Sequence, residues 1–143
     1  MPDDGSSPVA RTKHGELTLD QIADMMPGMA RLMVEVSDRY TILYYAAKGG
    51  NWDLARHEFS EMRKTLRMAA LVRPKYKEPL DAFDAECMMP LQDAIKKMDV
   101  SVLEAAYRAA TDRANAYHVE FGYPYIDWRL PDTPPGHLRL TGE

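Results

Sequence analysis

Apolar positions recur at steps of three and four through four long stretches of this chain, each bounded by residues that start or stop helices. The first long helix is predicted over 27–48, with Leu32, Val36, Tyr40, Leu43 and Ala47 on one face and Gly49-Gly50 as its stop. Pro27 suits a first turn, where its missing N–H leaves no bond unmade. The second is predicted over 52–72. Asn51 is its N-cap, Trp52, Ala55, Phe59, Met62, Leu66 and Ala69 form its stripe, and Arg73-Pro74 ends it. The third, over 80–98, turns Leu80, Phe83, Cys87, Leu91, Ala94 and Met98 inward. Pro90 lies within it and predicts a kink, because proline removes an N–H and crowds the preceding turn. Asp99 caps the fourth, which runs to about Phe121 with Leu103, Ala106, Ala110, Ala114, Tyr117 and Phe121 inward and Gly122 placed to terminate it.

A shorter helix precedes these. Thr18-Leu19-Asp20-Gln21 fits a capping box, and Pro27-Gly28 ends the helix near Met26. Residues 1–17 read as a flexible arm, 18–121 as the helical body and 122–143 as a Pro- and aromatic-rich tail. Tyr125, Ile126, Trp128 and Leu130 are too apolar for a free tail, so the segment is expected to fold back on the body. No strand pattern competes with the helices. The expected fold is all-α: an antiparallel up-down-up-down four-helix bundle with a docked C-terminal tail.

Composition then narrows the function classes. The chain has 143 residues, one domain's worth, with a net charge of −4. That balance lacks the clustered basic footprint of a nucleic-acid binder. No apolar run is long enough to span a bilayer. The N-terminus lacks the apolar stretch of a secretory leader, so the cytoplasm is the expected compartment, or the periplasm if a leader has been removed. A single cysteine, Cys87, excludes an intramolecular disulfide and a Cys-based zinc site; as a buried residue it would act as a small hydrophobe. Gly-x-Gly-x-x-Gly, Walker A and Gly-x-Ser-x-Gly motifs are absent. No Glu is followed three residues later by His, as ferritin-like di-metal bundles require. Glu58 and Glu61 beside His57 form a carboxylate pair, but their alternation with Arg63 and Lys64 reads as a solvated face, and no metal site is expected. Arg56, Arg63, Lys64, Arg67, Arg73, Lys75 and Lys77 either steer an acidic partner or anionic ligand or are that same solvated surface.

One set of segments is more specific. From Gly49 the chain reads Gly-Gly-Asn-Trp-Asp-Leu-Ala. From Ala114 it reads Ala-Asn-Ala-Tyr-His-Val-Glu-Phe-Gly-Tyr-Pro-Tyr-Ile, followed by Pro131 and Pro134-Pro135. In order and spacing, over roughly 27–135, this resembles a family of small four-helix c-type cytochromes, related in architecture to cytochrome c′. There an Asn-Trp-x-Leu-Ala turn opens the second helix. The fourth ends in Cys-Asn-Ala-Cys-His and is followed by a Gly-Phe-Pro-Phe-Ile-like segment. The resemblance implies haem held by two thioethers with the histidine as axial ligand. Here Ala114 and Tyr117 stand at the cysteine positions and only His118 remains. The implied protein is therefore a cytochrome-like scaffold without covalent haem, and the relatives' electron transfer or gas binding is not carried over. In this family haem attachment takes place outside the cytoplasm, so the missing leader agrees with the missing cysteines.

The former haem space, between the first, second and fourth long helices, is then either refilled as core or remodelled as a pocket for a small organic ligand. Candidate ligand-binding residues are Tyr40, Tyr44, Trp52, His57, Arg113, Tyr117 and His118. The leading expectation is such a binder, or a partner or accessory protein, without cofactor. Non-covalent b-type haem is an alternative, with His118 axial and one of Met25, Met26, Met29, Met33, Met88 or Met89 opposite, although methionine at helical spacing is ordinary core filler. A small enzyme, or an enzyme subunit, using Tyr117 and His118 as acid and base is another. His118 also suits a plain position near a helix C-terminus, where a cation is favoured. His14, His57 and His137 read as surface or arm residues. The resemblance further implies a homodimer through the first two long helices.

Overall fold

The computed structural model of the protein describes residues 9–142, and they are mostly helical. The expected arm over 1–17 lies outside the described residues as far as residue 8. From there it is a hairpin, β1 (Val9–Thr12) paired antiparallel with β2 (Gly15–Thr18). Its two-residue turn works because Gly15 takes φ +141°, a conformation side chains resist. The Thr12 hydroxyl accepts the His14 N–H at 3.1 Å, and Arg11 pairs with Glu16 across the strands. Thr18 then caps α1 (Leu19–Met25) through the expected capping box, its Oγ1 accepting Gln21 N–H at 3.1 Å and Gln21 Oε1 accepting Thr18 N–H at 2.9 Å.

The long helices fall close to their predicted bounds because their caps are written in the chain. α2 (Met29–Lys48) starts two residues later than expected, with Gly28 as its N-cap, so Pro27 lies before the first turn rather than in it. Asn51 Oδ1 accepts Leu54 N–H at 3.1 Å and opens α3 (Trp52–Val72). Asp99 Oδ1 accepts Val102 N–H at 3.0 Å and opens α6 (Val100–Glu120). A single 3₁₀ turn over Pro74–Tyr76 joins α3 to the next helical stretch.

That stretch corrects the kinked helix expected over 80–98. It begins earlier, as α4 (Lys77–Phe83), passes through one π turn (Asp84–Met88) and continues as α5 (Met89–Lys97). In the π turn Met89 N–H reaches back to the Asp84 carbonyl. Pro90 has no N–H to place, and the wider turn relieves the clash its ring would make with the Glu86 carbonyl. Arg63 on α3 holds the turn with two hydrogen bonds of 2.7 Å to the Asp84 carboxylate. Met98 is not an inward residue. It ends α5 at φ +54° and is 54% exposed.

The core lies between α2, α3, α5 and α6, and the fully buried large side chains are Leu43, Met62, Met88, Leu91 and Leu103. Cys87 is buried there, and burial first, then Glu86, pushes its thiol pKa up, as for an inert structural cysteine. Tyr107, absent from the predicted stripe, links α6 to α2. Its ring stacks on Tyr40 at 3.8 Å. Tyr107 Oη donates to the Tyr40 carbonyl at 2.8 Å, and Tyr40 Oη donates to the Tyr107 carbonyl at 2.6 Å. Burial drives the pKa of both phenols far above the ordinary tyrosine value.

The tail does fold back. Gly122 at φ +87° closes a Schellman motif, with Tyr123 N–H bonding the His118 carbonyl at 2.7 Å and Gly122 N–H the Val119 carbonyl at 3.1 Å. Trp128 and Leu130 pack on the core, whereas Tyr125 is 77% exposed on the outside of the turn, its ring edge-on to Tyr123. Residues 139–142 lie against the α2–α3 turn. Asn51 Nδ2 donates to the Arg139 carbonyl at 2.9 Å, and Gly142 N–H bonds the Gly49 carbonyl at 3.1 Å. Among the described residues no helix is long and apolar enough to cross a membrane.

Candidate functional site

A cavity of about 560 Å³ lies between the N-terminal half of α2, the middle of α3, α4 and the C-terminal half of α6, with the tail as its remaining wall. Pocket walls of this kind are built from positions that face inward but have nothing opposite them. In α6 the stripe continues beyond Ala110 with Ala114, Tyr117 and Phe121, yet Ala114 and Tyr117 stay only partly covered and Phe121 is exposed. The floor is buried: Tyr40, Met62, Leu66, Met88 and Ala110. The rim carries Phe121, Tyr123 and Ile126, which line the cavity and are exposed to solvent as well.

The walls are apolar and aromatic. Along one side Phe83 and Tyr117 meet edge to face at 6.4 Å, Tyr117 stacks with Phe121 at 6.1 Å, and Phe121 meets Tyr76 at 5.4 Å. Trp128 lines the cavity from the tail, its ring 5.1 Å from that of Tyr40. Met29 and Met33 from α2 complete the lining with Met62 and Met88.

Most polar groups at the cavity are already committed. Ser37 Oγ accepts Trp128 Nε1–H at 2.8 Å. Thr111 Oγ1 donates to the Tyr107 carbonyl at 2.9 Å and lies 3.0 Å from Tyr40 Oη. The Tyr117 hydroxyl accepts from Arg113 Nη2 at 3.1 Å, and the guanidinium sits over its ring, 4.2 Å from the centroid. Arg113 Nε in turn bonds Glu86 at 3.2 Å, so this cation braces Tyr117 from outside the cavity wall.

His118 is different. Its Nδ1 is 2.8 Å from the Ile126 carbonyl. A carbonyl only accepts, so Nδ1 carries a proton, and in the corresponding tautomer of the neutral ring Nε2 is the acceptor. That nitrogen has no hydrogen bond among the described residues, and His118 lines the cavity. One turn earlier, Asn115 grips the same tail. Its Oδ1 accepts Trp128 N–H at 2.9 Å and its Nδ2 donates to the Trp128 carbonyl at 3.0 Å.

Of the residues proposed from sequence, the cavity gathers Tyr40, Tyr117 and His118, with Arg113 behind Tyr117. Tyr44, Trp52 and His57 lie elsewhere. Tyr44 donates to Glu104 at 3.1 Å, Trp52 packs against the core at the start of α3, and His57 is on the surface. The helical repeat explains this: these three belong to the far end of the α2–α3 pair from the cavity, beside the Gly49-Gly50 turn. Tyr117 and His118 make no hydrogen bond to one another, each being held by its own partner. Sequence reasoning brought the tail back to the body but did not place it as a cavity wall, and it missed the Asn115 clamp, since no local pattern says which backbone a half-buried asparagine will find.

The carboxylate pair also needs correcting. Glu58 is 5% exposed and bonds Arg39 Nη1 at 3.1 Å, so it belongs to a half-buried ion pair between α3 and α2 rather than to a solvated face; Glu61 does face solvent and pairs with Lys64. Much of the basic run is paired at short range as well, Arg56 with Asp53, Arg63 with Asp84 and Lys77 with Asp81. Among the described residues no group of three or more His, Cys, Asp and Glu could hold a metal ion. The thioether attachment implied by the resemblance has no sulfur to use, because positions 114 and 117 are Ala and Tyr and Cys87 is in the core. No family model, curated protein or solved structure matches the chain.

Proposed function

We propose that the protein is a binder of small apolar organic molecules, built on a haem-less cytochrome-like scaffold. The scaffold is an antiparallel four-helix bundle of α2, α3, the α4–α5 stretch and α6. The observation that carries the reading is the cavity itself. A core that had merely closed over the former haem space would put side chains into contact there, as protein interiors do. Instead about 560 Å³ remains between aromatic and methionine walls, within the size range of small-molecule sites. Methionine suits such a wall because its unbranched thioether adapts to the occupant.

Nile red, a neutral dye whose emission rises and shifts blue in apolar surroundings, tests the reading. One saturable site is expected. Ala114→Trp, which fills the cavity from α6, is expected to abolish binding while thermal unfolding stays cooperative. Unsaturable binding, or binding indifferent to Ala114→Trp, would contradict it.

A second reading rests on His118. A histidine whose Nδ1–H is fixed by a backbone carbonyl presents Nε2 as histidine metal ligands do. Non-covalent haem would use His118 as its axial ligand and supply redox or gas-binding chemistry. A sharp, saturable Soret band on adding hemin, lost in His118→Ala, is the result that favours this reading over the first.

A further inference from the structure

Every polar group that reaches into the cavity constrains what enters it. The hydroxyls of Thr111 and Tyr40 both donate to the Tyr107 carbonyl, while those of Ser37 and Tyr117 accept from Trp128 Nε1–H and Arg113 Nη2. His118 Nε2 has no partner among the described residues, and the Ile126 carbonyl on Nδ1 selects the tautomer in which Nε2 accepts. The carboxylate of Asp38 stands on the same lining and is exposed. Both are acceptors, and neither welcomes an anion. Among the described residues no Lys or Arg lines the cavity, and Arg113, behind Tyr117, is spent on Tyr117 and Glu86. The remaining surface is aromatic and thioether. The ring cluster of Phe83, Tyr117 and Phe121, with Trp128 on the same lining, offers aromatic surface to a flat occupant.

Resting on the cavity as a ligand site, we infer that its ligands are neutral aromatic alcohols, phenols above all, whose hydroxyl donates to His118 Nε2. The phenol ring lies among the aromatic walls. Its O–H satisfies the bare nitrogen, which an apolar ligand would bury unpaired and an anion would meet with a second acceptor. Losing one partner of such a bond leaves the other desolvated, and this is what makes the site selective.

Three naphthalenes of similar shape test this: 1-naphthol, 1-methoxynaphthalene and 1-naphthoate, titrated at neutral pH and followed by quenching of tryptophan fluorescence, since Trp128 is in the wall. 1-Naphthol is expected to bind about tenfold more tightly than its methyl ether, the weight of one buried hydrogen bond, with naphthoate weaker than both. His118→Ala loosens the tail as well, so the informative variant is His118→Asn. Its amide N–H replaces Nδ1–H toward Ile126, and nothing replaces Nε2. In His118→Asn the naphthol and the ether are expected to bind equally, at the level of the ether in the unaltered protein. Equal binding in the unaltered protein, a preference that survives His118→Asn, or naphthoate binding as tightly as naphthol overturns the inference and leaves the cavity reading in place. Absence of saturable binding by all three overturns both.

Discussion

At Met98 the backbone holds φ +54°, a conformation that costs a side chain roughly 1–2 kcal/mol. The side chain is largely exposed and gives little back. Met98→Gly is therefore expected to raise stability by about 0.5–1 kcal/mol, after the extra entropy glycine loses on folding; no gain in urea unfolding would contradict it. Asp84 is the opposite case. The two hydrogen bonds from Arg63, the largest influence on it, hold its pKa below the ordinary carboxylate value. A pKa lower in the folded state contributes stability that is complete above the unfolded value, about 3.9, and is lost as pH falls through the folded one. Asp84→Asn is expected to cost about 1 kcal/mol at pH 7. Its difference from the unaltered protein should shrink as the pH is taken below 4, and a difference as large at pH 3 as at pH 7 would refute the assignment. The sequence showed neither residue's role. Met98 fell on an apolar stripe, and only the early end of α5 took it off; the partner of Asp84 is on another helix.

Helix starts and stops were legible because each depends on a few neighbouring residues: Thr18, Asn51, Asp99 and Gly122 do what their types and positions indicate. Two elements were not legible. The β1–β2 hairpin turns on Gly15 in a polar stretch with little alternation, and the π turn answers Pro90 by widening the helix rather than bending it. The Gly49-Gly50 turn was read as a helix stop, but it has a second role as the seat of residues 139–142. A Cβ on Gly49 would approach the Leu140 carbonyl oxygen to 2.3 Å, and that backbone cannot step aside without leaving Gly50, which bridges Thr141. Gly49→Ala is expected to detach residues 139–142. Limited proteolysis should then trim the C-terminus several-fold faster while the helical circular dichroism is kept; an unchanged trimming rate would contradict the contact.

For the whole molecule, the periodicity of the apolar stripes conveyed which faces turn inward, and the structure bears this out for most of α2, α3 and the first half of α6. What periodicity does not convey is whether an inward face meets another. Tyr117 and Phe121 keep the stripe's spacing but border a cavity, and the tail that closes it is held by Asn115 and His118, a pairing across sequence that no stripe encodes. The most direct test is methyl NMR of the protein labelled at its methionine methyl groups. Met29, Met33, Met62 and Met88 line the cavity, whereas Met25, Met68 and Met98 are exposed away from its wall. On titration with 1-naphthol the first four resonances are expected to shift together and saturate, with the other three unmoved. Shifts spread evenly over all seven, or none at the cavity four, would mean that this space does not bind small molecules.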